Sequence, residues 1–226
     1  MRQNAAFLRI AQITLLVCSP LLLLLSNLYL LATPAFVHYE YGKPQFPAAD
    51  FYDPAERIFL AEATVHYLRS SAGPDYLKGL RSQERVVYNA RETKHLDDVK
   101  SVMGVAFWVQ GISAVLCVVA LAFSWRRSPG KILALQAVYR GCLAFCILLV
   151  GIGVVAYTSF DLFFTAFHHL LFKGDTWLFA YSDTLIQLFP VQFWMDAAAA
   201  LVLPAVAESI LVGVVAYILS RRLQVD

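Results

Sequence analysis

Apolar positions in this chain gather into four long runs, at about 10–32, 102–123, 135–157 and 197–219. Some 20 apolar residues are what a helix needs to cross roughly 30 Å of hydrocarbon. The runs are continuous, whereas barrel strands would alternate lipid-facing and lumen-facing positions. This pattern predicts an all-α membrane protein with four transmembrane helices, forming a single membrane domain over residues 1–226.

Between the runs the pattern changes. Residues 33–101 and 158–196 mix charges with aromatic side chains. Ile58, Phe59, Ala61, Glu62, Val65, His66 and Leu68 read as an amphipathic helix over 55–70, which Ala72-Gly73-Pro74 breaks. Another helix is expected from about Gln83 into the second apolar run. After the third run, Phe160, Phe164, Phe167 and Leu171 recur at i, i+4, i+7 and i+11, which suits a short helix lying in the membrane interface. Trp177, Phe179, Phe189, Phe193 and Trp194 read as further interfacial aromatics. With Phe51, Tyr52, Phe59, Tyr67 and Tyr76 among interspersed charges, the first segment is expected to form an extracytoplasmic cap, the fold of residues 34–88 being left open.

Composition agrees with the pattern. Hydrophobic residues make up 59% and charged residues 15%, with a mean hydropathy of +0.62; soluble domains carry about 25% charged residues. The net charge of +2 gives no reason to expect nucleic acid as a partner. Charge distribution is more informative. Arg2, Arg9, Arg126, Arg127, Lys131, Arg140, Arg221 and Arg222 flank the runs on one side, where Asp226 is the acidic residue, while the nine basic and ten acidic residues of 33–101 nearly cancel. The basic side is cytoplasmic by the positive-inside rule, which puts both termini in the cytoplasm and segments 33–101 and 158–196 outside. A cleaved signal peptide competes for the first run, since Ala32 and Ala35 follow it. That run is longer than the 7 to 15 residues of a signal h-region, and the other three keep their sidedness either way.

Cys18, Cys117, Cys142 and Cys146 all fall inside apolar runs, so neither a disulfide framework nor thiol chemistry is available on the outer side. Histidine is the chemical residue there. His95 precedes the second run and His168 follows the third, so the topology brings both to the outer side. At 1.5 Å per residue, His95 stands roughly 10 Å beyond Val102, near headgroup depth. Arg91, His95 and Asp98 fall within about 60° on one helix face, with Glu92 on its flank. Asp161 lies two turns from His168, so a carboxylate from another segment, Asp98 or Asp183, is the expected partner of that imidazole. His38, His66 and His169 read as interfacial anchors or satisfied polar groups. Glu208 lies inside the fourth run, where a charge costs about 2.5 to 3.5 kcal/mol on insertion scales; it is expected to be protonated or bonded to Gln110.

Three linked motifs then stand out: Asn89-x-Arg91-Glu92-x-x-His95-x-x-Asp98-Val99-Lys100; Phe167-His168-x-x-Leu171-Phe172-x-Gly174-x-x-Trp177; and Ser182-Asp183-x-Leu185-Ile186-x-Leu188-Phe189-Pro190-x-x-Phe193. In these motifs, and in the order and number of its runs, the chain resembles the lipoprotein intramolecular transacylase family of small bacterial four-span membrane proteins. The resemblance implies transfer of the sn-2 acyl chain of S-diacylglyceryl-cysteine to the α-amino group of the same cysteine, giving a lyso-form lipoprotein in the bacterial cytoplasmic membrane. It implies His95 and His168 as the catalytic pair and a diacylated lipoprotein N-terminus, held in membrane lipid, as substrate. Neither metal nor cofactor is called for. Arg91 and Lys100 are expected to give electrostatic support, Asp98 or Asp183 to fix a tautomer, and Glu92 to support the same face. Two other readings stand beside this one. Glu92, His95 and His168 could ligate a divalent metal in a membrane hydrolase, or the chain could be a non-enzymatic membrane assembly factor.

Overall fold

The computed structural model describes residues 2–127 and 129–224, so Asp226 lies outside the described residues. In chain order the elements are α1 (Arg2–Leu31), α2 (Pro34–Tyr41), α3 (Pro54–Arg69), α4 (Asp75–Gly79), β1 (Arg81–Ser82), β2 (Arg85–Val86), α5 (Ala90–Trp125), α6 (Gly130–Thr158), α7 (Phe160–Leu171), α8 (Thr184–Leu188) and α9 (Val191–Arg222). Helices α5, α6, α9 and the Ala5–Leu31 part of α1 are long and apolar enough to cross a membrane. Trp108, Val118, Ile147 and Leu211 on these helices are 66 to 75% exposed. So much exposed apolar surface would drive aggregation in water; in lipid it is the outer face of a multi-pass membrane protein.

The chain packs as two compact units. The first comprises Met1–Asn27, Ala106–Tyr157 and Leu201–Asp226. Its core is built around Leu15, Cys117, Ala134, Cys142 and Ala216. Small residues let membrane helices approach closely, and Gly141 shows how closely: a Cβ there would lie 2.2 Å from the carbonyl oxygen of Leu16. Glu208 is bonded differently from the expectation. Asn27 Nδ2 donates to its Oε2 at 3.1 Å, and Gln110 instead donates to Ser26 at 3.4 Å. Which of two amides on different helices meets the carboxylate depends on helix rotation, which span hydropathy does not encode.

The second unit comprises Leu28–Val105 and Thr158–Ala200. Residues 34–88 form three short helices and a hairpin around a core that includes Val37, Leu60, Tyr67, Leu77, Tyr88 and Leu188. Local chemistry fixes the helix starts. Thr33 caps α2 by accepting from Phe36 N, Asp53 caps α3 by accepting from Ala55 N and Glu56 N, and a proline follows each cap at N1, where its missing N–H is not needed. Lys43 bridges buried Glu40 to Asp196 at 2.8 Å from each, tying α2 to the start of α9. One expected boundary is corrected. The helix does not start near Gln83, because Gln83 and Glu84 have φ of 46° and 66° and form the two-residue turn between β1 and β2. Such a turn matches the twist of paired strands, and α5 begins only at Ala90.

Candidate active site

The start of α5 is held by a reciprocal cap. Asn89 Oδ1 accepts from Glu92 N at 3.0 Å, and Glu92 Oε2 accepts from Asn89 N at 2.8 Å, which satisfies two orphan donors at once. The other oxygen of Glu92 accepts from Leu185 N at 2.8 Å, so this carboxylate, 1% exposed, fastens α8 to α5. Glu92 is thus committed to backbone donors rather than directed at an imidazole. Among the described residues, no three His, Cys, Asp or Glu side chains converge as a metal site.

Asp183 makes a second set of bonds across the same elements. Its Oδ1 accepts from Asn89 Nδ2 at 3.2 Å, and its Oδ2 from Arg91 Nη2 at 3.1 Å and Ala180 N at 2.7 Å. Arg91 lies over the ring of Phe179 at 5.3 Å, and that ring packs 5.4 Å from the imidazole of His95. Beside this network is a polar groove of about 280 Å³ lined by Val86, Val87, Tyr88, Asn89, Glu92, Ser182, Asp183 and Thr184.

His95 and His168 come together one helical turn further along α5. Their ring centroids are 6.0 Å apart with planes at 24°, and each side chain is only 8% exposed. Aromatic rings enclose them: Phe172 lies 4.9 Å from His95, while Phe164 and Trp177 lie 4.0 and 4.7 Å from His168. Helix α7 has inverted polarity. His168 is its one buried residue, while Leu162 and Leu170 are 60% and 82% exposed. An apolar helix that turns its imidazole inward and its leucines outward suits a lipid-facing position with chemistry beneath it.

The expected carboxylate partner of His168 is replaced by a carbonyl. His168 Nδ1 lies 2.7 Å from the carbonyl oxygen of Phe164, one turn back in α7. A carbonyl can only accept, so Nδ1 carries the proton and Nε2 is the basic nitrogen of the neutral ring. Asp98 pairs with Lys94 instead, and Lys100 donates to Ala72 O and lies over Tyr67 at 4.1 Å. Neither is hydrogen-bonded to an imidazole, because i, i+4 pairing and the α3–α4 connection capture them first.

Helix α5 has 36 residues, about 54 Å at 1.5 Å per residue. That exceeds the hydrocarbon thickness, and its first three turns, including His95, precede the apolar stretch that begins near Val102. Burial lowers the pKa of His95 to about 4, helped by the neighbouring His168 and opposed by Asp98. His168 is also lowered by burial, against which the Phe164 carbonyl favours its protonated form. Both rings are therefore neutral near pH 7, and His168 is the one equipped to stabilise an added proton.

Several residues read from sequence as interfacial aromatics belong to the interior. Trp177, Phe189 and Phe193 are buried, and Trp177 and Phe179 pack against the imidazoles. Gly174 carried the available signal: at φ +69° it permits the turn that returns Trp177 to His168.

Known proteins agree with this architecture. The membrane integral lipoprotein intramolecular transacylase Lit from Bacillus cereus superposes with a TM-score of 0.67 at 18% identity, covering 98% of this chain and 96% of that one. A form of it with one histidine replaced by alanine gives 0.64 at 21% identity, covering 100% and 99%. At such identities the likeness is one of fold. An uncharacterized protein of Aquifex aeolicus (strain VF5) is 28% identical over 163 residues, 71% of this chain and 72% of that protein. The profile of the family described as lipoprotein intramolecular transacylase Lit matches residues 13–194, well over half of the sequence, and the chain therefore belongs to that family.

Proposed function

We propose that the protein moves the sn-2 acyl chain of an S-diacylglyceryl-cysteine lipoprotein to the α-amino group of the same cysteine, with His95 and His168 as the catalytic pair. The observation that carries this reading is the pair itself: two buried imidazoles 6.0 Å apart, the second being the one buried residue of an otherwise apolar and exposed helix.

The reaction is an aminolysis. The amine nitrogen attacks the ester carbonyl carbon, the bond from that carbon to the glycerol oxygen breaks, and the proton lost by nitrogen ends on that oxygen. Nothing is gained or lost overall. His168 Nε2 accepts the proton, since its Nδ1–H is anchored on Phe164 and the resulting imidazolium keeps that bond. The His168 imidazolium then gives that proton to the glycerol oxygen as the bond breaks, and His95, kept neutral by burial, stands beside it as a hydrogen-bonding partner. Because nucleophile and ester belong to one molecule, the aromatic enclosure contributes mainly by holding them in attack geometry. The groove beside Asn89 and Asp183 offers polar groups to the peptide that follows the cysteine. Sidedness follows from the eight basic residues on one side of the spans, which support cytoplasmic termini and an extracytoplasmic site.

The test is a purified diacylglyceryl lipopeptide incubated with the protein and followed by intact mass, amine labelling and fragmentation. Unchanged mass, loss of amine reactivity and an N-acyl cysteine fragment are expected. Replacing either His95 or His168 by glutamine should abolish the conversion without loss of folded yield, and the double variant should be little worse than either alone. A mass gain of one water with fatty acid released would identify a hydrolase, and an amine that stays reactive with folded protein would remove the transacylase reading.

A further inference from the structure

Trp177 lies in the same enclosure and is 8% exposed, yet its Nε1 is buried with no hydrogen-bond partner. A buried indole N–H usually finds one. Trp194, nearby in the sequence, does so, donating to Phe189 O at 3.0 Å. A buried orphan donor is destabilising, so one placed beside a basic nitrogen calls for a partner. The Trp177 ring packs against that of His168, with centroids 4.7 Å apart, so the indole belongs to the enclosure that holds the basic nitrogen. His95 Nδ1 is likewise buried without a partner, so the enclosure holds more than one polar atom awaiting a ligand.

We propose that the indole N–H of Trp177 binds the oxygen of the acyl carbonyl under attack and stabilises the oxyanion of the tetrahedral intermediate. This rests on the transacylase reading. When the amine adds to the carbonyl carbon, the π pair moves to oxygen, which accepts the indole hydrogen bond without taking the proton. When the intermediate collapses, that pair re-forms the carbonyl, the carbon–oxygen bond to glycerol breaks, and the glycerol oxygen receives its proton from the imidazolium. Only groups already present take part.

Trp177 suits this role better than its neighbours. The His168 Nδ1–H is already given to Phe164, and Arg91 is paired with Asp183 and 49% exposed. Indole is a donor only, so pH does not remove its proton. Phe164, 6.4 Å away, and the edge-on ring of His169 shield it, and a donor fixed in such a water-poor setting acts strongly on developing charge.

The experiment replaces Trp177 with β-(3-benzothienyl)alanine, which keeps the shape and exchanges N–H for sulfur, and separately with phenylalanine. Both are assayed on the diacylglyceryl lipopeptide beside the unaltered protein. Loss of one oxyanion donor lowers turnover by about 100- to 1000-fold. The benzothienyl variant should lose kcat on that scale while its KM, thermal unfolding midpoint and imidazole titration stay unchanged, and the phenylalanine variant should be no more active. A benzothienyl variant with undiminished kcat overturns the proposal, as does a loss accompanied by altered imidazole titration, which would mark a packing role. Unaltered protein that leaves the lipopeptide unchanged removes the transacylase reading, and this proposal with it.

Discussion

At the residue scale, the decisive feature is the difference between two imidazoles that the sequence presents as equivalent. His168 has a carbonyl on Nδ1, whereas His95 has a neighbouring imidazole, two phenyl rings and a buried, unpartnered Nδ1. Both folded-state values are depressed, so protonation is resisted as pH falls below the ordinary value of about 6.5. His95 stays neutral through weakly acidic pH, and the stability that the two neutral forms carry above the ordinary value declines between it and the folded-state values, His95 titrating near 4. Selective ¹⁵N labelling in micelles should show the His95 ring mainly neutral at pH 5.5 and His168 titrating below the ordinary value, its neutral form being the Nδ1–H tautomer. A His95 ring mainly protonated there, or an Nε2–H tautomer for neutral His168, would contradict this account.

At the element scale, the site depends on where α5 begins. The Asn89–Glu92 cap fixes that point, and the bond from Glu92 to Leu185 N joins α8 to it. Asn89→Ala should lower stability by about 1 kcal/mol. Glu92→Ala should be worse, by about 2 to 4 kcal/mol, because it leaves two backbone N–H groups without their acceptor. Thermal unfolding in detergent gives the ranking, and equal losses would mean that the α8 tether contributes nothing. From the sequence the helix is expected to begin about seven residues too early, near Gln83 rather than Ala90. The Gln83–Glu84 turn explains the difference: neither residue is glycine, so its left-handed backbone left no mark in the sequence.

At the scale of the whole molecule, the membrane is the organising solvent. The basic flanks should hold Arg9, Arg127 and Arg221 in the cytoplasm and the site outside. Single cysteines at Arg85 and Lys173, both exposed, should react with a membrane-impermeant thiol reagent in intact cells lacking the native thiols. Labelling only after lysis would reverse the assignment.

The sequence by itself determined the class, the four spanning helices and the polar segments carrying His95 and His168, because a hydrocarbon core allows few alternatives to a long apolar helix. The caps at Thr33, Asp53 and Asn89 are local bonds between near neighbours that the structure shows. Tertiary structure alone decided the rest. Asn27 rather than Gln110 meets Glu208, a carbonyl rather than Asp98 or Asp183 fixes His168, and Trp177 closes over that imidazole instead of resting at the membrane surface. Each of these is a choice between chemically similar partners, settled by helix rotation and chain return, and neither is written in hydropathy or spacing.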